Sequence, residues 1–240
     1  MTPRPHLRGL FVTGTDTGVG KTTVSVALLR YASRHGLTPI PCKPVETGCS
    51  PEAADAAALW RSARPPIPQS EVCFYALGLA AAPSLAAAAD CARIDLDLIV
   101  ERANALAARG DFLLVEGAGG LLVPYVDALT TVDLARRMAL PLLVVARTAL
   151  GTVNHTTLTL REAARSGLTV AGVILNQTEA RPGSQEPGNA DLIATLTGHH
   201  VLGTLPYFSS GAETDPDVLA DALETSVGGD ALRKLLGAEV

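Results

Sequence analysis

Ten residues constrain this chain more than any others: Gly14-Thr15-Asp16-Thr17-Gly18-Val19-Gly20-Lys21-Thr22-Thr23. An apolar run, Leu10-Phe11-Val12, precedes them, and a helical pattern over 24–32 follows. Strand, glycine-rich turn, then Lys-Thr opening a helix is the setting of a phosphate-binding loop. Consecutive backbone N–H groups make an anion-binding concavity in such a turn, and the helix N-terminus adds its positive end. Lys21 is placed to reach β- and γ-phosphates, and Thr22 to offer its hydroxyl to Mg²⁺. The strict spacing puts a glycine at position 15, where this chain has Thr15, so the loop is expected to have its own shape.

The rest of the chain alternates as that loop requires. Strands are expected over 9–13, 39–43, 111–116, 140–146, 168–175 and 201–205. Helices are expected over 21–35, 51–60 with Pro51 in its first turn, 83–91, 95–109, 131–138, 154–166, 190–197, 217–224 and 229–236. Residues 64–68 read as a proline-rich loop and 178–188 as a second loop. Asp111-Phe-Leu-Leu-Val-Glu116 has a continuous apolar body, the mark of a strand buried on both faces. The fold class is therefore α/β: three layers, a mostly parallel sheet with helices on both faces. Ligands gather at the carboxyl ends of such strands. The loop, the segment 43–47, the segment 116–120, Asn176-Gln177 and Pro206 all lie at such ends, which argues for one site.

Length and composition bound the function. The 240 residues suffice for one large domain spanning 1–240. With 48% hydrophobic and 18% charged residues the chain can bury a core. A net charge of −5 without a basic run argues against nucleic acid or an anionic membrane as partner. The longest apolar stretches, 76–89 and 139–146, are too short or carry a proline, and the first residues lack the apolar run of a signal peptide. Cys42, Cys49, Cys73 and Cys91 show no metal-type spacing, so reduced thiols and a cytoplasmic location are expected. Only three of the nineteen basic residues are lysines (21, 43 and 234), and two of them fall in glycine- or proline-rich turns near the start. A compact ammonium is not interchangeable with a guanidinium beside a phosphate or a reacting group.

Magnesium held by a phosphate-loop Thr needs a carboxylate at the end of another strand, and Glu116 fits that need. The adjoining Gly117-Ala118-Gly119-Gly120 permits close backbone approach. Asp55 on a helix, Lys43 beyond a strand and Asn176 at a strand end are each unremarkable alone. A guanine site would want Asn-Lys-x-Asp; Asn176-Gln177-Thr178-Glu179 speaks against it. Asn154 reads either as the N-cap of its own helix or as part of an anion site at that helix N-terminus. His155 and Cys42 read as structural, and His199-His200 as a surface turn.

Taken together, Gly14 through Thr22, Lys43-Pro-Val-Glu-Thr-Gly48, Val115-Glu-Gly-Ala-Gly-Gly120, Leu150-Gly-Thr-Val-Asn-His155 and Asn176 strongly resemble the dethiobiotin synthetases, phosphate-loop NTPases of biotin biosynthesis. The resemblance implies closure of a ureido ring on 7,8-diaminopelargonic acid with CO₂ and ATP, through a carbamate and its mixed anhydride with phosphate. It implies catalytic roles for Lys21, Lys43 and Thr17, with Mg²⁺ on Thr22, Asp55 and Glu116. Substrate contacts fall to Thr47, Gly151 and Asn154. ATP contacts fall to Gly18, Val19, Gly20, Lys21, Thr22, Thr23, Asp55 and Glu116 through Gly119, with Asn176, Gln177, Leu205, Pro206 and Tyr207 around the base. The resemblance further implies a homodimer whose sites are shared between subunits. The family pattern often has an acid at position 18; this chain has Gly18. Two other readings compete. Cobyrinate-type amidoligases carry an added glutaminase domain for which 240 residues leave no room. Partitioning-type ATPases carry an extra lysine early in the loop, where this chain has Thr15.

Overall fold

The computed structural model describes residues 8–180, 186–208 and 215–237, with side-chain surroundings left aside at 186 and 187. The strands of the main sheet are β1 (Gly9–Gly14), β2 (Pro39–Thr47), β3 (Cys73–Leu77), β4 (Phe112–Gly120), β7 (Leu142–Arg147), β8 (Val170–Asn176) and β9 (Val201–Leu205). They lie side by side in the order β3-β2-β4-β1-β7-β8-β9, and every pairing is parallel. A small antiparallel ribbon, β5 (Pro124–Val126) with β6 (Leu129–Thr130), stands apart. The helices are α1 (Lys21–Arg34), α2 (Ala54–Ala63), α3 (Pro83–Ala89), α4 (Leu96–Ala107), α5 (Thr131–Met138), α6 (Thr152–Arg165), α7 (Glu186–Thr197), α8 (Pro216–Val227) and α9 (Gly229–Leu235). No helix among the described residues is long and apolar enough to cross a membrane.

The continuous apolar strands are explained by the layers around them. Leu10 and Val12 of β1 pack with α1, α8 and α9, while Phe11 between them packs with α4 and α5 on the other face. Likewise Leu143 and Val145 join the α1 layer, whereas Val144 and Ala146 pack with Leu160 of α6 and Ile193 of α7. A strand coated on both faces has no polar face to show. β1 lies at the middle of the order. The chain winds from it to one edge through β2 and β3, returns at β4, then builds outward through β7, β8 and β9. The crevice at that reversal is where a doubly wound sheet binds its ligand.

Several expectations need correction. β2 runs to Thr47, four residues past its expected end, so Lys43 sits within a strand and not in a turn. The extra length pairs with β3, an edge strand absent from the sequence reading. The second helix starts at Ala54, so Pro51 lies before it. The sixth starts at Thr152 with Gly151 as its N-cap; Asn154 is inside its first turn and is not the cap. The seventh begins at Glu186, inside the expected 178–188 loop, of which 181–185 lie outside the described residues.

Candidate active site

The carboxyl ends of the central strands enclose a cleft of about 700 Å³. Thr17, Gly18, Gly20, Lys21, Thr22 and Thr23 form its floor. Lys43, Glu46 and Thr47 line one side with Asp55, while Ala118 and Gly119 line another. A smaller cavity of about 300 Å³, between β3 and α4, holds none of the candidate residues.

The floor is shaped by its glycines. At Gly14 a Cβ would come within 2.9 Å of the Val19 side chain and 3.1 Å of Lys21 Nζ. Gly20 caps α1 with φ +93°, and a Cβ there would lie 2.0 Å from Asn176 Nδ2. That amide donates to the Val19 carbonyl at 3.1 Å and so ties the loop to the end of β8. Val19 itself is fully buried and points its side chain into the core. Lys21 is nearly buried and donates to the Asp16 carbonyl at 3.1 Å. Burial, opposed by Glu116 and reinforced by Lys43, holds its ammonium below the usual lysine pKa.

The charged centre arises where two strands part. β2 pairs with β4 only as far as Cys42 beside Val115; from Lys43 onward it pairs with β3. Lys43 and Glu116, the next residues on each strand, meet across the gap. Lys43 Nζ donates to Glu116 Oε1 at 2.5 Å and to Asp55 Oδ2 at 2.9 Å. Glu116 Oε1 also accepts the Thr22 hydroxyl at 2.9 Å. Burial alone would depress Lys43, but Glu116 and Asp55 more than offset it and push its pKa above the ordinary lysine value. Burial would raise Asp55; the ammonium wins there too and holds its carboxyl below the usual carboxylate value. Glu116 is fully buried, and its Oε2 has no partner among the described residues. Such an orphan acceptor is costly unless something cationic completes it.

An AAA-domain family profile matches residues 8–213. The chain is 44% identical over 235 residues to the ATP-dependent dethiobiotin synthetase BioD of Anaeromyxobacter dehalogenans (strain 2CP-1), covering 98% of this chain and 99% of the relative. It is 40% identical over 220 residues to the protein of the same name from Bacillus cereus (strain B4264), covering 91% and 90%. The chain belongs to the ATP-dependent dethiobiotin synthetase family. Among solved structures, the fold resembles a MinC:MinD cell division complex of Aquifex aeolicus (TM-score 0.60, 12% identity, 97% of each chain covered). It also resembles a ParA family ATPase of Chlorobium tepidum (TM-score 0.56, 12% identity, 97% and 98% covered). At that identity the likeness shows the α/β fold and no more.

For a dethiobiotin synthetase, the cleft unites Thr17, Gly18, Gly20, Lys21, Thr22 and Thr23 with Lys43, Thr47 and Asp55. Glu116 lies buried behind Thr22 and Lys43, within β4 and not at its expected end, because that strand runs on to Gly120. Gly117 is a packing requirement, since a Cβ there would lie 2.9 Å from the Phe11 ring. On the other side of the loop, Asn176 pairs with Leu205 across β8 and β9, and Gln177 N–H donates to the Leu205 carbonyl at 2.9 Å. Pro206 and Tyr207 follow, both exposed. Gly151 and Asn154 do not line the cleft. Asn154 is exposed, and neighbouring Leu150 is 82% exposed. The sequence reading missed Glu46 and the wall made by Ala80, Ala81, Ala82 and Pro83. Its one available signal for Glu46 was an acid placed between two residues already assigned to the site.

Proposed function

We propose that this dethiobiotin synthetase family enzyme works through the Lys43–Glu116–Thr22–Asp55 cluster. The reaction joins 7,8-diaminopelargonic acid, CO₂ and ATP to give dethiobiotin, ADP and phosphate, a cyclo-ligase step of biotin biosynthesis. One substrate amine takes up CO₂ as a carbamate. A carbamate oxygen attacks the γ-phosphorus of ATP and ADP leaves. The second amine then attacks the carbamoyl carbon, phosphate departs, and the ureido ring closes. Carbamate and triphosphate are both anionic, so their approach requires compact cations between them. Lys21 and Lys43 are those cations. Lys43, kept protonated by its two carboxylates, stabilises charge and is not a general base. Thr17 and Thr47, which both line the cleft, orient the amines and carbamate oxygens, so that much of the rate comes from positioning.

Thr22, Asp55 and Glu116 fit a Mg²⁺ ion. Glu116 accepts from Thr22 and from Lys43, Lys43 also donates to Asp55, and the unpartnered, buried Glu116 Oε2 is an acceptor that a cation would complete. Mg²⁺ takes one or two carboxylates and keeps several waters, which is what Asp55 and Glu116 with the Thr22 hydroxyl would offer it. When bound, the ion would neutralise charge on the β- and γ-phosphates. With its amide nitrogen committed to Val19, Asn176 keeps its carbonyl oxygen for a base carrying an exocyclic amine, as adenine does. Leu205, Pro206 and Tyr207 close that side.

The substrate ends in a carboxylate at the far end of an aliphatic chain. Gly151 and Asn154 lie away from the cleft, on a segment whose Leu150 stands in solvent. We therefore read the enzyme as a cytoplasmic homodimer of one-domain chains. In it, Gly151 and Asn154 of one protomer receive the tail of the substrate held by Lys43 and Thr47 of its partner. The test is ADP release with each substrate omitted in turn: release should need the diamine and bicarbonate together. Equal ADP release without diamine would point to an ATPase switch instead.

A further inference from the structure

The Lys-Pro-Val-Glu-Thr-Gly segment carries an acid that the proposed reaction leaves unused. Glu46, near the end of β2, is 6% exposed, yet among the described residues its carboxylate meets backbone and no cation. Oε1 accepts the Asp55 N–H and Oε2 the Ala56 N–H, both at 2.9 Å. These are two of the free N–H groups in the first turn of α2. The helix has no cap of its own, because its N-cap is Ala53, which makes no side-chain hydrogen bond. A carboxylate at a helix N-terminus satisfies those donors and suits the helix dipole. Here it comes from a different element, eight residues upstream of the helix start.

The consequence lies one bond further on. Asp55, whose N–H is gripped by Glu46, sends its own side chain to Lys43 at 2.9 Å. Lys43 lies three residues before Glu46 on the same strand. Strand, cap, helix turn and ion pair thus close a loop: Glu46 to Asp55 backbone, Asp55 carboxylate to Lys43 ammonium, Lys43 back along β2. We propose that Glu46 is a positioning residue, which clamps the first turn of α2 to β2 and thereby sets the Asp55 carboxylate over Lys43 and the metal-binding groups. The proposal rests on the reading of Asp55 as a metal ligand.

Glu46→Gln keeps the volume but leaves one acceptor, and turns an NH₂ group toward the second N–H. Supporting groups of this kind are worth about tenfold or more in metal affinity. The Mg²⁺ concentration for half activity should rise by about that factor, and direct Mn²⁺ titration of the enzyme–ATP complex should show the same shift. Metal-free nucleotide binding should stay near that of the parent. Asp55→Asn is run beside it, with the double variant. Coupled residues are non-additive, so the double should shift little beyond Asp55→Asn. A third variant separates clamping from fold maintenance: Ala53→Asp added to Glu46→Gln gives α2 a local cap without a tie to β2. It should restore thermal stability and leave the metal shift in place. If Glu46→Gln lowers stability alone, or Ala53→Asp restores metal affinity as well, Glu46 only caps a helix and the proposal falls. If Asp55→Asn itself leaves metal affinity unchanged, the metal-site reading falls and takes this proposal with it.

Discussion

Replacing Lys43 by Gln removes the only side-chain cation that touches the buried Glu116 among the described residues. The two side chains are 5% and 0% exposed, so the substitution strands a charge away from water. Removing one partner of a buried pair costs about 3–5 kcal/mol. The second contact, to an Asp55 side chain that is 41% exposed, adds at most about 1 kcal/mol. Gln can still donate one hydrogen bond to Glu116, which places the expected loss near the lower end, about 3 kcal/mol. For a chain of this length that is a drop of about 6–12 °C in Tm. The assay is thermal and urea unfolding in EDTA, for the parent, Lys43→Gln and Lys43→Gln/Glu116→Gln. The double variant should be more stable than the single, because no stranded charge remains. Between pH 6 and 9 the contribution of Lys43 and Asp55 to the parent's own stability should be flat. The raised Lys43 pKa means its contribution is complete below the ordinary value of 10.5 and fades only as pH climbs through the raised one. The depressed Asp55 pKa means its share is complete above 3.8 and fades only as pH falls below that. A single variant within about 0.5 kcal/mol of the parent, or a double less stable than the single, would refute the buried pair as the organising contact.

Other outcomes follow from the same geometry. Asp55→Asn and Glu116→Gln should each raise the Mg²⁺ needed for half activity, and wild-type dependence in both would place the ion elsewhere. Gly18→Ala should cost about 1 kcal/mol, since φ is +72° but the space is open. Gly20→Ala should abolish nucleotide binding, because its Cβ would strike Asn176; near-normal ATP affinity in that variant would contradict the loop geometry. Toward a thiol reagent at pH 8 the exposed Cys91 should react first. Buried Cys42 should stay inert until the protein unfolds, and half-buried Cys73, its thiol pushed up to about 12 chiefly by burial, should react far more slowly than Cys91. Mixing Lys43→Gln with a variant disabled at 151–154 should restore activity if sites are shared between subunits, and should not if each chain is self-sufficient.

The parts of this molecule legible in the sequence are those whose signal is local. Leu10-Phe11-Val12, residues 112–115 and residues 173–175 announce themselves because both faces are covered, so every one of these positions is apolar. The glycine-rich loop is legible because its backbone shape demands specific residues. β3 was missed because it is an edge strand with Cys73, Phe74 and Tyr75 only partly buried and Ala76 exposed, a pattern with no clean period. The start of α2 was misplaced for a different reason: Glu46 supplies its cap from a distant strand, so the local signal at Pro51 had no competitor. At α6 the cap is Gly151 with φ +96°, which leaves no side-chain signature, and Asn154 drew the assignment three residues late. The chemistry of the cleft was readable as motifs, but the Lys43–Asp55–Glu116 contacts exist only because β2 and β4 diverge after Cys42 and Val115.

The most direct measurement follows one carbon atom. The purified enzyme is given 7,8-diaminopelargonate, Mg²⁺, ATP and ¹³C-bicarbonate, and the product is read by mass and by ¹³C NMR. The expected result is a single labelled carbon in a ureido carbonyl, formed one-to-one with ADP and phosphate, and absent when Lys43 is Gln. ATP turnover with no label in a cyclic urea, or labelled product from Lys43→Gln at the parent's rate, would contradict the account.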